Sequence, residues 1–70
     1  MFMGTNIDLL IRMLKKQEYD FTDDVDTVTV HLEEREVFIK DDDSAYEINY
    51  DDINDVAFDE NEVIALLERI

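Results

Sequence analysis

Seventy residues with 20 carboxylates, six lysines and arginines, one histidine and no cysteine or proline give a formal charge of −14. That length holds one domain, and at this size a folded chain buries only about 60% of the surface its unfolded form exposes. The charge repels nucleic acid and anionic membrane as direct ligands. The lack of thiols excludes disulfide staples, thiolate metal sites and cysteine nucleophiles.

Hydrophobic residues make up 46% of the chain and are patterned, which predicts one small core rather than disorder. No run approaches the roughly 18 apolar residues of a membrane span, and the N-terminus lacks a basic region followed by a continuous apolar one. A cytoplasmic protein is expected. Residues 1–16 hold Arg12, Lys15 and Lys16 against Asp8 alone, whereas residues 17–70 hold 19 carboxylates against Arg35, Lys40 and Arg69.

Residues 1–5 read as a short ordered lead or a frayed end containing Gly4, the one glycine. Thr5 is placed to cap a helix over residues 6–17, with Asp8 in its first turn and Lys15 and Lys16 in its last, as the macrodipole favours. Ile7, Leu10, Ile11 and Leu14 form its apolar stripe, which Leu9 and Met13 widen. Tyr19 and Phe21 alternate with acids in a short strand or extended lead-in. After a polar turn at Asp23, Asp24 and Asp26, Val28, Val30 and Leu32 alternate with Thr27, Thr29 and His31, the period of a half-buried strand. Glu33 to Arg35 make a tight connection. Val37 and Ile39 continue the inward set with Phe38 on the other face, and Asp41 to Ser44 turn the chain into Tyr46, Ile48 and Tyr50.

Residues 51–58 are ambiguous: Ile53, Val56 and Ala57 suit a short helix or turn, and a loop with buried anchors reads the same. Asp59 and Glu62 then have capping-box spacing ahead of Val63, Leu66, Leu67 and Ile70, a helix from about residue 60 to the end. The expected architecture is α+β, a three- or four-stranded antiparallel sheet packed by an N-terminal and a C-terminal amphipathic helix. Its uncovered face carries Thr27, Thr29, His31, Phe38, Glu47 and Asn49.

No catalytic or metal motif competes with the acids. An EF-hand started at Asp41 places Ala45 at position 5, Tyr46 where glycine is required and Asp52 where a bidentate glutamate belongs. His31 has no serine or cysteine motif beside it, Ser44 sits in an acidic turn, and no glycine-rich loop is present to cradle phosphate. Neither an enzyme nor a cofactor is expected.

The acids concentrate between Glu33 and Asp55. One reading is a solvated, solubilising surface; the other is a negative template that competes with nucleic acid for a basic protein site. Solubility needs a net charge of only about 2 to 8 in magnitude, so the excess favours the template. Asp41, Asp42, Asp43, Glu47, Asp51, Asp52 and Asp55 are the leading contact candidates, with Glu33, Glu34 and Glu36 next. Phe38, Asn49, Tyr46 and Tyr50 lie among them as candidate anchors, although the parity of the two tyrosines with Ile48 also predicts core.

Asn6, Ile7, Leu10, Ile11, Arg12, Lys15 and Tyr19, with Leu14 and Glu18 as conservative matches, resemble the opening of a small acidic anti-CRISPR family of Listeria prophages. The resemblance covers residues 6–19. It implies a phage-encoded inhibitor of a type II RNA-guided nuclease that occupies the basic site reading the PAM duplex, and among acidic interface positions it carries over only Glu18. The chain departs from the family by being shorter, by lacking the glycine-bearing turn between strands and by having no clear second helix before the last. The expected partner is the basic surface of a nucleic-acid-binding protein. The alternative is an acidic adaptor or self-assembling protein whose helices carry the interface, with Leu9 and Met13 as contacts.

Overall fold

The computed structural model describes residues 5–70. Residues 1–4 of the predicted lead lie outside that range. The elements are α1 (Ile7–Lys16), β1 (Phe21–Asp23), β2 (Thr27–His31), β3 (Glu36–Asp41), β4 (Tyr46–Tyr50), β5 (Ile53–Ala57) and α2 (Glu60–Arg69). The fold is α+β, with two helices on one face of an antiparallel meander whose spatial order follows the chain, β1-β2-β3-β4-β5. The sheet has five strands, one more than the upper expectation.

The additional strand replaces the short helix or turn expected over residues 51–58. Asp51, in the left-handed region at φ 52°, opens a two-residue loop with Asp52. The chain then folds straight back, pairing Tyr50 with Ile53 and continuing to Tyr46 with Ala57. Its side-chain pattern hides the strand. Ile53, Asp55 and Ala57 share the helix-facing parity of β4 while Val56 faces out, so an acid sits inside and a valine outside, and the spacing of Ile53, Val56 and Ala57 imitates a helical turn.

Period two holds elsewhere. Val28, Val30, Val37, Ile39, Tyr46 and Ile48 are each at most 1% exposed, and with Ala57 they meet Leu10 and Leu14 of α1 and Val63, Ile64, Leu66 and Leu67 of α2. Each of the buried valines, leucines and isoleucines contributes about 1.5–3 kcal/mol on leaving water. Leu9 does not join them, being 40% exposed, while Met13 packs half-buried against the core. Tyr46 is core, Tyr50 is half-buried and Phe38 is exposed on the uncovered face.

The helix ends explain the remaining boundaries. Asn6, not Thr5, caps α1, its side chain accepting from the Leu9 N–H at 3.1 Å. Thr5 is drawn away to the β3–β4 turn, where its N–H donates to the Asp43 carbonyl at 2.9 Å and its hydroxyl to the Asp41 carboxylate. At the other end of α1, Glu18 has φ 65°; its N–H reaches the Lys15 carbonyl and the Tyr19 N–H the Leu14 carbonyl, both at 3.0 Å. This is a Schellman motif with glutamate where glycine is usual. Asp59 caps α2 by accepting from the Glu62 N–H at 2.8 Å, and Glu62 reaches back one residue further than a capping box requires, to the Phe58 N–H at 2.6 Å.

Candidate partner-binding surface

In a meander, successive turns lie at opposite ends of the sheet. The β1–β2 and β3–β4 turns therefore share one end, and the Asp41 N–H joins them by donating to the Asp26 carbonyl at 2.8 Å. Both helices start at this end: Asn6 and Glu60 meet at the buried Tyr46 hydroxyl, which donates to Glu60 Oε2 at 2.6 Å and accepts from the Asn6 N–H at 3.2 Å. Burial, then the hydrogen bond and charge of Glu60, push the Tyr46 hydroxyl well above the ordinary tyrosine range, so it stays a neutral donor.

This first end gathers Asp23, which closes β1, with Asp24 and Asp26 of the following turn, and Asp41, which closes β3, with Asp42 and Asp43 of the next turn, beside Asp59, the N-cap of α2, and Glu60. Lys40, one residue before Asp41, is the lysine or arginine nearest to it in sequence. Asp41 is partly committed, since Oδ1 accepts from Thr5 and from the Asp43 N–H at 3.0 Å, and Asp24 accepts from the Val25 N–H at 2.8 Å. The carboxylates of Asp23, Asp26, Asp42 and Asp43 make no hydrogen bond or ion pair among the described residues and are exposed. Four adjacent strands cover three spacings of about 4.8 Å, so six aspartates line roughly 14 Å of sheet end. Duplex DNA carries a charge per about 1.7 Å of axis, about eight over the same length.

The second end is different. Glu18, Asp20, Glu33, Glu34, Asp51 and Asp52 lie there, but so do Lys15 and Lys16 at the end of α1, Arg35 in the β2–β3 turn and Arg69 at the end of α2. Arg35 is the centre of this set: its Nε lies 3.1 Å from Asp51 Oδ2, its Nη2 3.9 Å from Glu34 and its Nη1 donates to the Ile70 carbonyl at 3.5 Å. The Nε contact is an ion pair whose angle falls short of a directed hydrogen bond. Tyr19 packs nearby, its hydroxyl pushed up by burial and by the charge of Glu68.

The sequence candidates thus separate. Asp41, Asp42 and Asp43 stand at the first end; Glu18, Glu33, Glu34, Asp51 and Asp52 stand at the second, interleaved with cations. Glu36 and Glu47 lie on the uncovered face, where Glu36 accepts from or pairs with His31 Nδ1 at 2.9 Å and the other ring nitrogen meets Thr22 Oγ1 at 2.9 Å. Asp55 lies on the helix-facing side of the edge strand. The residues that sequence reasoning did not include are Asp23, Asp24 and Asp26, which complete the first end. The signal for them was turn parity: once four strands form a meander, the first and third turns must meet.

Among the described residues no group of three or more histidine and carboxylate side chains is arranged to hold a metal ion. No helix is long and apolar enough to cross a membrane. Comparison with protein-family models, with curated proteins and with solved structures found no match.

Proposed function

We propose that this chain acts by binding, setting the aspartates of the first end against the basic site of a nucleic-acid-binding protein and so competing with nucleic acid for it. The observation that carries this reading is the meeting of two acidic turns at one end of the sheet, with four carboxylates that make no hydrogen bond or ion pair among the described residues. With Asp24 and Asp41, the six aspartates have a density along the sheet end of the order of a duplex backbone's. A field of this sign speeds encounter with a basic surface, and the contact charges set salt dependence. A type II RNA-guided nuclease is the specific target that the resemblance of residues 6–19 suggests, in the cytoplasm of a bacterial host.

The test is capture from bacterial lysate on the immobilised protein, eluted with duplex DNA or with buffer alone, followed by repetition with two variants. In the first, Asp23, Asp26, Asp42 and Asp43 become asparagine; in the second, Glu33, Glu34, Asp51 and Asp52 are neutralised. The expected result is a nucleic-acid-binding protein released by DNA, held more than about tenfold less tightly by the first variant, with a flatter salt dependence. Retention that ignores DNA, or that the second variant alone abolishes, overturns the proposal.

A further inference from the structure

We propose that the open edge of β5 takes up an extended, lysine- or arginine-bearing segment of a partner protein as a sixth strand. This surface is separate from the acidic turns, and the proposal does not rest on their function. β5 pairs with β4 on one side, and no described strand pairs with its other side. The hairpin loop closes on Tyr50 and Ile53. A closing pair next to a two-residue loop is hydrogen-bonded, so alternation makes Asn49–Asn54 and Glu47–Val56 the non-hydrogen-bonded pairs. The backbone groups of Asn54 and Val56 consequently point away from β4. The Val56 N–H instead donates to the side chain of its own neighbour, Asp55 Oδ1, at 2.8 Å.

Asp55 decides what can pair there. The inward row Val28, Ile39, Ile48 ends on Asp55 at the edge, a carboxylate in a place where the three preceding strands put apolar groups. A second copy adding antiparallel about the centre of β5 would set Asp55 against Asp55, a like-charge pair between two chains of formal charge −14. A basic strand meets the opposite situation. Its carbonyl can take the Val56 N–H, and the carboxylate so released can pair with its lysine or arginine. Depressions flank the strand on both sides: one of about 330 Å³ bounded by Phe58, Leu66 and Glu62, and one of about 310 Å³ bounded by Glu47 and Asn54. Asp55 and Val56 border both, so alternate side chains of an added strand have space on each face. Among the described residues that border the two depressions, the carboxylates are Asp55, Glu62 and Glu47 and the one cation is Arg69. Val56 and Phe58, 51% and 66% exposed, supply apolar contact.

The experiment titrates the isotope-labelled protein with a blocked seven-residue peptide alternating valine and lysine, following amide shifts and hydrogen exchange. Controls are the same peptide N-methylated at its central residues and one with glutamate for lysine. The expected result is slowed exchange at Asn54 and Val56, with about tenfold weaker binding of the N-methylated peptide. Asp55→Asn should weaken the lysine peptide about two- to fivefold, the effect of a partly exposed ion pair. The proposal is overturned if the N-methylated peptide binds as well and its shifts fall on the acidic turns, or if neither amide is protected at saturation. It is equally overturned if Asn54 and Val56 are already protected in a dimer of the protein alone.

Discussion

Replacing Glu18 by glycine should stabilise this protein. At φ 65° the glutamate holds the left-handed position of the α1 Schellman motif, and its carboxylate makes no hydrogen bond or ion pair among the described residues. The left-handed region costs a residue with a Cβ roughly 1–2 kcal/mol. Glycine removes that cost but adds about 0.5–1 kcal/mol of unfolded-state entropy. Removing a negative charge just past the negative end of a helix dipole returns about 0.3 kcal/mol. The net expectation is a gain of about 1 kcal/mol, which in a domain of this size raises Tm by about 4–8 °C.

Thermal and urea unfolding at pH 7 measure the change, and Glu18→Gln separates geometry from charge, because it keeps the Cβ and should recover only the dipole part, about 0.3 kcal/mol. A glutamine variant as stable as the glycine one would show that charge, not backbone conformation, carries the effect. A glycine variant less stable than the parent would refute the reasoning outright. Glu18 is also the one acidic interface position implied by the resemblance of residues 6–19. Because Glu18 stands at the second end, binding through the first-end aspartates should survive Glu18→Gly, and weaker binding would favour the position that the resemblance implies instead.

Tyr46→Phe removes the 2.6 Å hydrogen bond to Glu60 and should cost about 1 kcal/mol at neutral pH by denaturant unfolding. Because the folded hydroxyls of Tyr46 and Tyr19 titrate above the ordinary value of 10.0, their stabilising contribution is complete below pH 10 and is lost as pH rises from there through the folded values. The parent's stability should thus fall above pH 10, and Tyr46→Phe should fall less steeply; equal slopes would count against the assignment. Adding salt to a few hundred millimolar should raise Tm by screening self-repulsion, and a melting temperature flat with salt would mean that the charges are already balanced in space. Ile48→Ala, at a fully buried position, should cost about 2–5 kcal/mol, whereas Val56→Ala, half exposed on β5, should cost under about 1; similar costs would contradict the β4–β5 register.

The helices and the three central strands were legible because burial and periodicity agree there: every second residue from Val28 to Ile48 within a strand is inward, and Leu10, Leu14, Val63 and Leu67 repeat at helical spacing. β5 was not legible because backbone pairing, not side-chain pattern, makes it a strand. Its inward set of Ile53, Asp55 and Ala57 contains an acid and a small residue, as suits an edge that must not attract another edge. Thr5 lost the cap to Asn6 through a long-range contact with Asp41 that no local rule contains. The acidic candidates were recognisable by type, but chain proximity is a poor guide to spatial proximity in a meander. Asp41 and Asp51, ten positions apart, lie at opposite ends, while Asp26 and Asp41 touch.

Charge segregation itself has a partial cause in the fold. Both helix N-termini lie at the first end and both C-termini at the second, each end carrying about half an elementary charge per helix. Asp8, Asp59, Glu60 and Glu62 near the N-termini, and Lys15, Lys16 and Arg69 near the C-termini, each sit where a dipole favours them. Asp24 and Asp41 hold turns together through backbone amides. Subtracting these residues leaves Asp23, Asp26, Asp42 and Asp43, whose carboxylates neither cap a helix nor accept from an amide among the described residues, and which carry like charge on two adjacent turns. Asp43 adds a left-handed backbone, φ 65°, that glycine would adopt more cheaply. Solubility would require far fewer charges. Four carboxylates gathered at a cost to stability, with no partner among the described residues, are the ones whose partner should be sought in another molecule.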